Sequence, residues 1–173
     1  NDRLVRGFAQ FLEKSRYKRP LLVLLEYGPD VALTKLLIDE LDISAYVAWL
    51  PKMNRKKIMP CLRQANIVVD QLRENICGVG GVGYEALSCG LPLVTYTNQA
   101  LLDRKSYLYN APIIDALTAS DVCNVFLDYE CDANKYKVIG DESKVWFNNT
   151  LGAGLAKKYI EILQENLKLT CRY

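Results

Sequence analysis

The chain opens with apolar positions at helical spacing: Leu4, Val5, Phe8, Phe11 and Leu12 predict an amphipathic helix, and Pro20 closes the basic stretch after it. Leu21-Leu22-Val23-Leu24-Leu25 is a short continuous apolar run ending at Tyr27-Gly28-Pro29, the pattern of a strand covered on both faces. Asp30 can cap a helix whose apolar positions are Val31, Leu33, Leu36, Leu37 and Leu41. A second strand from Ala45 to Leu50 stops at Pro51, and a helix over residues 55–65 carries Pro60 as a kink or a restart. Ile67-Val68-Val69-Asp70 is a third strand; a glycine-rich loop, a helix from Gly83 to Cys89 and the strand Leu91 to Tyr96 follow.

Strands alternating with helices in this way predict an α/β fold, a Rossmann-like doubly wound parallel sheet flanked by helices. Beyond residue 98 the pattern turns helical, over 99–109, 119–130 and a long C-terminal helix over 141–167. Phe147, Leu151, Leu155, Tyr159, Ile162 and Leu163 form its apolar stripe, which is expected to pack on the sheet in its upper part and to fray or find a partner beyond Tyr159. Gly152 and Gly154 weaken that helix by roughly 1 kcal/mol each relative to Ala. With 173 residues and no internal repeat, the whole chain (1–173) is expected to be a single domain that needs no disulfide or metal to fold.

Composition narrows the chemistry more than the fold. Half of the residues are apolar and 24% charged, which excludes wholesale disorder, and no apolar run reaches the roughly 18 residues of a membrane span. The formal net charge of +2 does not mark a nucleic-acid binder, and no nucleic-acid partner is expected. The basic residues are nevertheless clustered. Residues 1–20 carry six, and Lys52, Arg55, Lys56, Lys57 and Arg63 follow one another with no acid among residues 52–63. Such runs are solvated helix faces, a contact with an acidic membrane surface, or a seat for a phosphate-bearing ligand.

The six cysteines (Cys61, Cys77, Cys89, Cys123, Cys131 and Cys171) have no framework spacing. Together with the absence of a signal-like segment they predict free thiols and a cytoplasmic setting, with the membrane surface as a variant of it. There is no histidine, so histidine triads, Cys-His dyads and His-based zinc sites cannot be built; no D-x-D-like metal motif is visible either, and no metal or other cofactor is expected. Any catalysis must use carboxylates, backbone amides or cations.

Residues 78–83 read Gly-Val-Gly-Gly-Val-Gly. A dinucleotide fingerprint must follow a strand directly and open a helix in the first βαβ unit; here seven residues separate Asp70 from Gly78, and Asp103, the acid at ribose-binding distance, falls in a predicted helix. Two readings survive: a glycine turn with no ligand, and an anion cradle made by close-approaching backbone N–H groups at a helix start. A diphosphate suits the second. It would sit at the carboxyl ends of the strands, with Glu85, in the first turn of the helix, accepting hydrogen bonds from two vicinal ribose hydroxyls or merely complementing the helix dipole.

Gly83-Tyr84-Glu85-Ala86-Leu87-Ser88-Cys89-Gly90-Leu91-Pro92-Leu93-Val94 resembles the E-A-(L/M)-x-x-G-x-P-x-V signature of GT-B glycosyltransferases of family four, the glycosyl transferases group 1. The resemblance extends upstream through Glu26-Tyr27-Gly28-Pro29, Val47-Ala48-Trp49-Leu50-Pro51 and Ala65-Asn66-Ile67-Val68-Val69-Asp70-Gln71, and downstream to the C-terminal helix. It covers the C-terminal, donor-binding half of such an enzyme. It implies that an N-terminal acceptor domain, covalently linked, and the first strand with its pair of basic residues lie outside this chain.

Carried over by resemblance, Gly78, Val79, Gly80 and Gly81 cradle the diphosphate of a nucleotide sugar, and Glu85 grips the ribose. Leu50, Pro51 and Lys52 form the base-binding turn. The first Glu of the family's Glu, seven residues, Glu motif would stand where this chain has Cys77, and Glu74 lies nearby but out of register. The resemblance assigns no catalytic residue here. It implies a hexosyl- or glycosyltransferase with a retaining mechanism and no metal, whose donor domain alone is inactive. A catalytically silent nucleotide-binding module and a nucleotide-sugar epimerase-like GT-B protein are the alternatives.

Overall fold

The apolar runs become strands that are covered unequally: Leu93 to Thr95 are buried on both faces, whereas the run Leu22–Glu26 alternates, with Val23 50% exposed, so the cover expected on both of its faces is not seen. In the computed structural model, which describes residues 1–173 except 18, 75–77, 99–101, 103–105 and 171–173, helix α1 (Asp2–Lys14) leads into β1 (Leu22–Glu26) and α2 (Val31–Glu40). A 3-10 turn (Ser44–Tyr46) precedes β2 (Val47–Pro51), and α3 (Arg55–Leu62) leads to the short β3 (Val68–Val69). Helix α4 (Gly81–Cys89) is followed by β4 (Leu93–Thr95), β5 (Ile113–Asp115), α5 (Ala119–Cys131), α6 (Ala133–Thr150) and α7 (Ala153–Thr170).

Every strand pairing is parallel, as the fold class requires. β1 pairs with β2 from Leu22↔Val47 to Glu26↔Pro51, while β3, β4 and β5 form a second ladder in which Val69 faces Val94 and Val94 faces Ile114. No ladder joins the two groups among the described residues. Helices join them instead. Gly7 of α1 lets that helix lie against α5, since a Cβ there would fall 2.6 Å from the Ala119 carbonyl oxygen and 2.7 Å from the Val122 Cβ. Phe8 and Phe11 meet Phe126 edge to face, with ring centroids 6.2 and 5.6 Å apart. The Arg3 guanidinium donates to the carbonyls of Leu72 (2.9 Å) and Leu117 (3.3 Å), tying the start of α1 to the segments that follow β3 and β5.

The core is accordingly in two parts. Val5, Phe8 and Phe11 bury Leu22, Leu24, Leu37 and Ile38 on one side, and Ala86 and Leu87 of α4 bury Val68, Leu93 and Ile113 on the other. Helix α6 crosses the C-terminus of α4 at two glycines. Gly90 ends α4 in the left-handed conformation (φ 76°), with its own N–H donating to Leu87 and that of Leu91 to Ala86. A Cβ on Gly140 would overlap the Gly90 carbonyl oxygen.

Three expectations are corrected. The long helix over 141–167 is two helices broken at Leu151-Gly152, and the first of them begins at Ala133. Ser106 to Tyr109, predicted helical, are a bend and turns; residues 99–101 and 103–105 lie outside the described residues. Strand β5 was not expected at all, its three residues being too few to register as an apolar run. The lower row of α7 stays helical but uncovered, with Tyr159, Leu163 and Leu167 each more than 60% exposed. No described helix is long and apolar enough to cross a membrane. Cys61, Cys89, Cys123 and Cys131 are free thiols; Cys77 and Cys171 lie outside the described residues.

Candidate functional site

Parallel strands deliver their carboxyl ends to one edge, and the sequence-predicted residues gather there. Leu50 and Pro51 are the last two residues of β2 rather than a turn beyond it, with Pro51 opposite Glu26. Lys52 starts the turn proper, and its ammonium lies 4.5 Å from the centre of the Tyr27 ring, which follows β1. Asn54 then caps α3 by accepting from the Lys57 N–H at 3.2 Å, so Arg55 stands at the first position of that helix.

At the end of β3 stands Asp70, which the sequence marks only as the strand's last residue. Its carboxylate reaches across to α4 and accepts the N–H of Gly80, the residue that caps that helix and has no side chain to do so itself (2.5 Å). Small size is required on the helix side. A Cβ on Gly80 would lie 2.8 Å from both Asp70 oxygens and 2.7 Å from the Gln71 amide nitrogen, and a Cβ on Gly83 2.8 Å from Asp70 Oδ2. Burial pushes the Asp70 carboxyl above its ordinary value, against the Gly80 N–H, which pulls it down. The strand that carries it is pinned by Asp70 N–H to Val94 O (2.9 Å) and by the Thr95 hydroxyl to Gln71 O (2.9 Å).

Helix α4 therefore starts earlier than expected. Gly81 is its first residue, Gly83 lies inside it, and Glu85 is in the second turn, not the first. The N–H groups of Gly81 and Val82 open the helix and have no intrahelical acceptor, whereas the Gly80 N–H is already held by Asp70. Gly81 has open space around it. One turn on, the Glu85 carboxylate faces α3, with Oε1 3.1 Å from Arg55 Nε; Glu85 is 16% exposed and Arg55 72%. Tyr84, beside it, shares a 2.5 Å contact between its hydroxyl and that of Tyr107. Burial, that hydroxyl and the Asp70 charge hold the Tyr84 phenol well above its ordinary value.

Glu74 pairs with Arg3 at 3.7 Å and is largely exposed. Cys77 lies outside the described residues. Among those described, no three metal-ligating side chains come together. Sequence reasoning missed three partners: Asp70 for Gly80, Tyr107 for Tyr84, and Arg55 for Glu85. An acid ending a strand just before a glycine loop is the signal that could have found the first.

A parallel, helix-flanked sheet with a glycine-opened helix at its carboxyl edge defines a Rossmann-like domain of the kind found in GT-B proteins. The chain belongs to the glycosyl transferases group 1 family, whose sequence profile matches residues 2–103. Its fold is similar to that of sucrose-phosphate synthase from Thermosynechococcus elongatus, at 13% identity and a TM-score of 0.66, over 97% of this chain and 43% of that one. Two structures of Anabaena HepE, one in complex with UDP and one with UDP and glucose, match over 94% of this chain at 16% identity, with TM-scores of 0.63 and 0.64. The chain spans 43–44% of the length of these solved structures. No curated protein sequence matches it significantly.

Proposed function

We propose that this chain is the donor-nucleotide domain of a retaining glycosyltransferase that takes a nucleotide-diphosphate sugar. The observation that carries the reading is the opening of α4. The free N–H groups of Gly81 and Val82 stand at the carboxyl edge of the sheet, and a half-buried carboxylate, Glu85, stands one turn further along the same helix. Helix N–H groups and their dipole favour a diphosphate, and a carboxylate accepts two hydroxyls. The two groups complement the two ends of a ribosyl diphosphate. Gly78, Val79 and Gly80 shape the approach, with Asp70 holding the loop to the helix, and Leu50, Pro51 and Lys52 offer an apolar and cationic edge to the base.

In this reading the bond from the anomeric carbon to the diphosphate oxygen breaks through an oxocarbenium-like transition state. The negative charge that gathers on the leaving diphosphate is met by backbone N–H groups and cations fixed in advance, which is the economical form of electrostatic catalysis. The acceptor binds to a linked N-terminal domain, and the donor domain alone transfers nothing. HepE, whose structures contain UDP, supports a uridine nucleotide as the first ligand to try. A nucleotide-binding module without transfer is the second reading, favoured by Cys77 standing where the family carries Glu. Sugar transfer by the full-length protein separates the two.

The experiment is calorimetric titration with UDP, GDP and ADP of the wild type and of Glu85→Gln. A charge-assisted hydrogen bond is worth about 1.5–3 kcal/mol, so the variant is expected to bind the preferred nucleotide about 10- to 150-fold more weakly at an unchanged melting temperature. A variant that binds as tightly as the wild type removes Glu85 from the site.

A further inference from the structure

We infer that Arg55 is a further donor-binding residue, which leaves Glu85 for the donor's phosphates when the ribose takes the carboxylate. The inference rests on the donor reading above and deepens it. Arg55 comes from α3, 30 positions away in sequence from its partner, and it is the cation that meets Glu85. The pair is lopsided. The guanidinium is 72% exposed and well hydrated without help, whereas the carboxylate is 16% exposed. The guanidinium can swing into solvent at little cost, whereas the carboxylate needs a replacement partner, which ribose hydroxyls would supply. The pairing also leaves the guanidinium's outer N–H groups facing solvent at the edge where the ligand enters, with bidentate geometry suited to phosphate.

Position strengthens the case. Arg55 follows Leu50, Pro51 and Lys52 by three residues, so the start of α3 lies between the proposed base edge and Glu85. The rise of an α-helix puts Glu85 about 6 Å beyond Gly81, so a guanidinium at Glu85 stands within a side chain's swing of whatever the helix opening holds. A ribosyl diphosphate presents hydroxyl donors and phosphate acceptors. Glu85 and Arg55 are the matching acceptor and donor, and in the structure they pair with each other. The ligand exchanges one ion pair for two better-matched contacts.

This makes an unusual demand on affinities. A nucleoside without phosphate must separate the pair and gives Arg55 nothing in return, whereas a nucleoside diphosphate supplies both partners. We would titrate the wild type, Arg55→Gln and Arg55→Lys with UDP, GDP and ADP, and with the nucleoside of whichever binds, checking each variant by its melting curve. Arg55→Gln is expected to bind the diphosphate about 10- to 100-fold more weakly and the bare nucleoside as well as, or up to about 5-fold better than, the wild type. Arg55→Lys, which keeps the charge without the fork, is expected to fall between. A diphosphate affinity that Arg55→Gln leaves unchanged, or a loss of equal size for nucleoside and diphosphate, overturns the role of Arg55 and leaves the donor reading standing. Failure of the wild type to bind any of the three nucleotides overturns both.

Discussion

Replacing Gly80 by Ala places a methyl group where the structure has no room for one. The added carbon would lie 2.8 Å from each Asp70 carboxylate oxygen and 2.7 Å from Gln71 Nε2, so the neighbours must retreat by about 0.6 Å or more to reach ordinary contact at 3.4 Å. The Gln71 side-chain amide can swing aside, but the Asp70 carboxylate does not retreat freely. Asp70 and Gln71 sit at the end of a strand fixed to Val94 and Thr95 by backbone and hydroxyl hydrogen bonds, and the Asp70 carboxylate is itself bonded to the Gly80 N–H. Overfilling a packed position costs about 1–3 kcal/mol, and the reduced freedom of the unfolded chain returns about 0.4–1 kcal/mol, because Gly80 at φ −77° adopts a conformation open to Ala. The net expectation is a loss of about 1–2 kcal/mol, or about 2–8 °C in Tm for a chain of this length. Gly81→Ala is the internal control, since nothing stands within 4 Å of its Cβ, and it should equal the wild type or exceed it by up to about 1 kcal/mol. Thermal melts of the three proteins decide the matter. If Gly80→Ala melts with Gly81→Ala, Asp70 does not lock the loop against α4, and the account of how that helix is started fails.

The crossing of α6 over α4 makes a similar demand at its own glycine. Gly140→Ala gains about 1 kcal/mol of helix propensity but overlaps the Gly90 carbonyl, so urea titration should show a net loss of about 1–2 kcal/mol, and equal stability would mean that the two helices slide apart at no cost. Asp70→Asn tests burial of the carboxylate. The folded state holds the Asp70 proton more tightly than the unfolded chain does, so this residue's contribution to stability declines as pH rises from its ordinary value of 3.8 through its raised folded value. Measured against the wild type, the Asn variant should therefore gain relative stability as pH increases from about 4, and a pH-independent gap contradicts the burial argument.

Much of this organisation is legible in the residues, and the failures share a cause. Strands β1 to β4 announce themselves as apolar runs, as Leu22 to Leu25 do before Tyr27-Gly28-Pro29, although β1 leaves Val23 half exposed instead of covering both faces. Strand β5 does not, because Ile113-Ile114 is too short a signal beside Pro112. The break at Leu151-Gly152 is hidden by periodicity itself: Phe147, Leu151 and Leu155 keep the helical four-residue spacing straight through it. At the site, the glycines and Glu85 are visible from local pattern, but the start of α4 is misplaced by two residues. Glycine's low propensity argues against a helix beginning at Gly81, and tertiary contact overrides it, since Asp70 and Val79 leave no room for anything larger at Gly83. Arg55 with Glu85 is a pairing between elements 30 positions apart, and a single sequence carries no record of which acid meets which donor.

The absence of a shared ladder between β1–β2 and β3–β4–β5 among the described residues bears on how the molecule comes apart. Backbone hydrogen bonding does not hold the two groups together; Gly7 against Val122, Phe11 against Phe126 and Arg3 on two carbonyls do. A seam held by side chains and not by a shared ladder is where hydrogen exchange is expected to detect subglobal opening first. Tyr27, Pro51 and Lys52 stand on one side of the seam and Asp70, Gly80 and Glu85 on the other. On the proposed donor reading, a nucleotide lying across them would act as a clasp, and its binding free energy would add to the cohesion of the two groups.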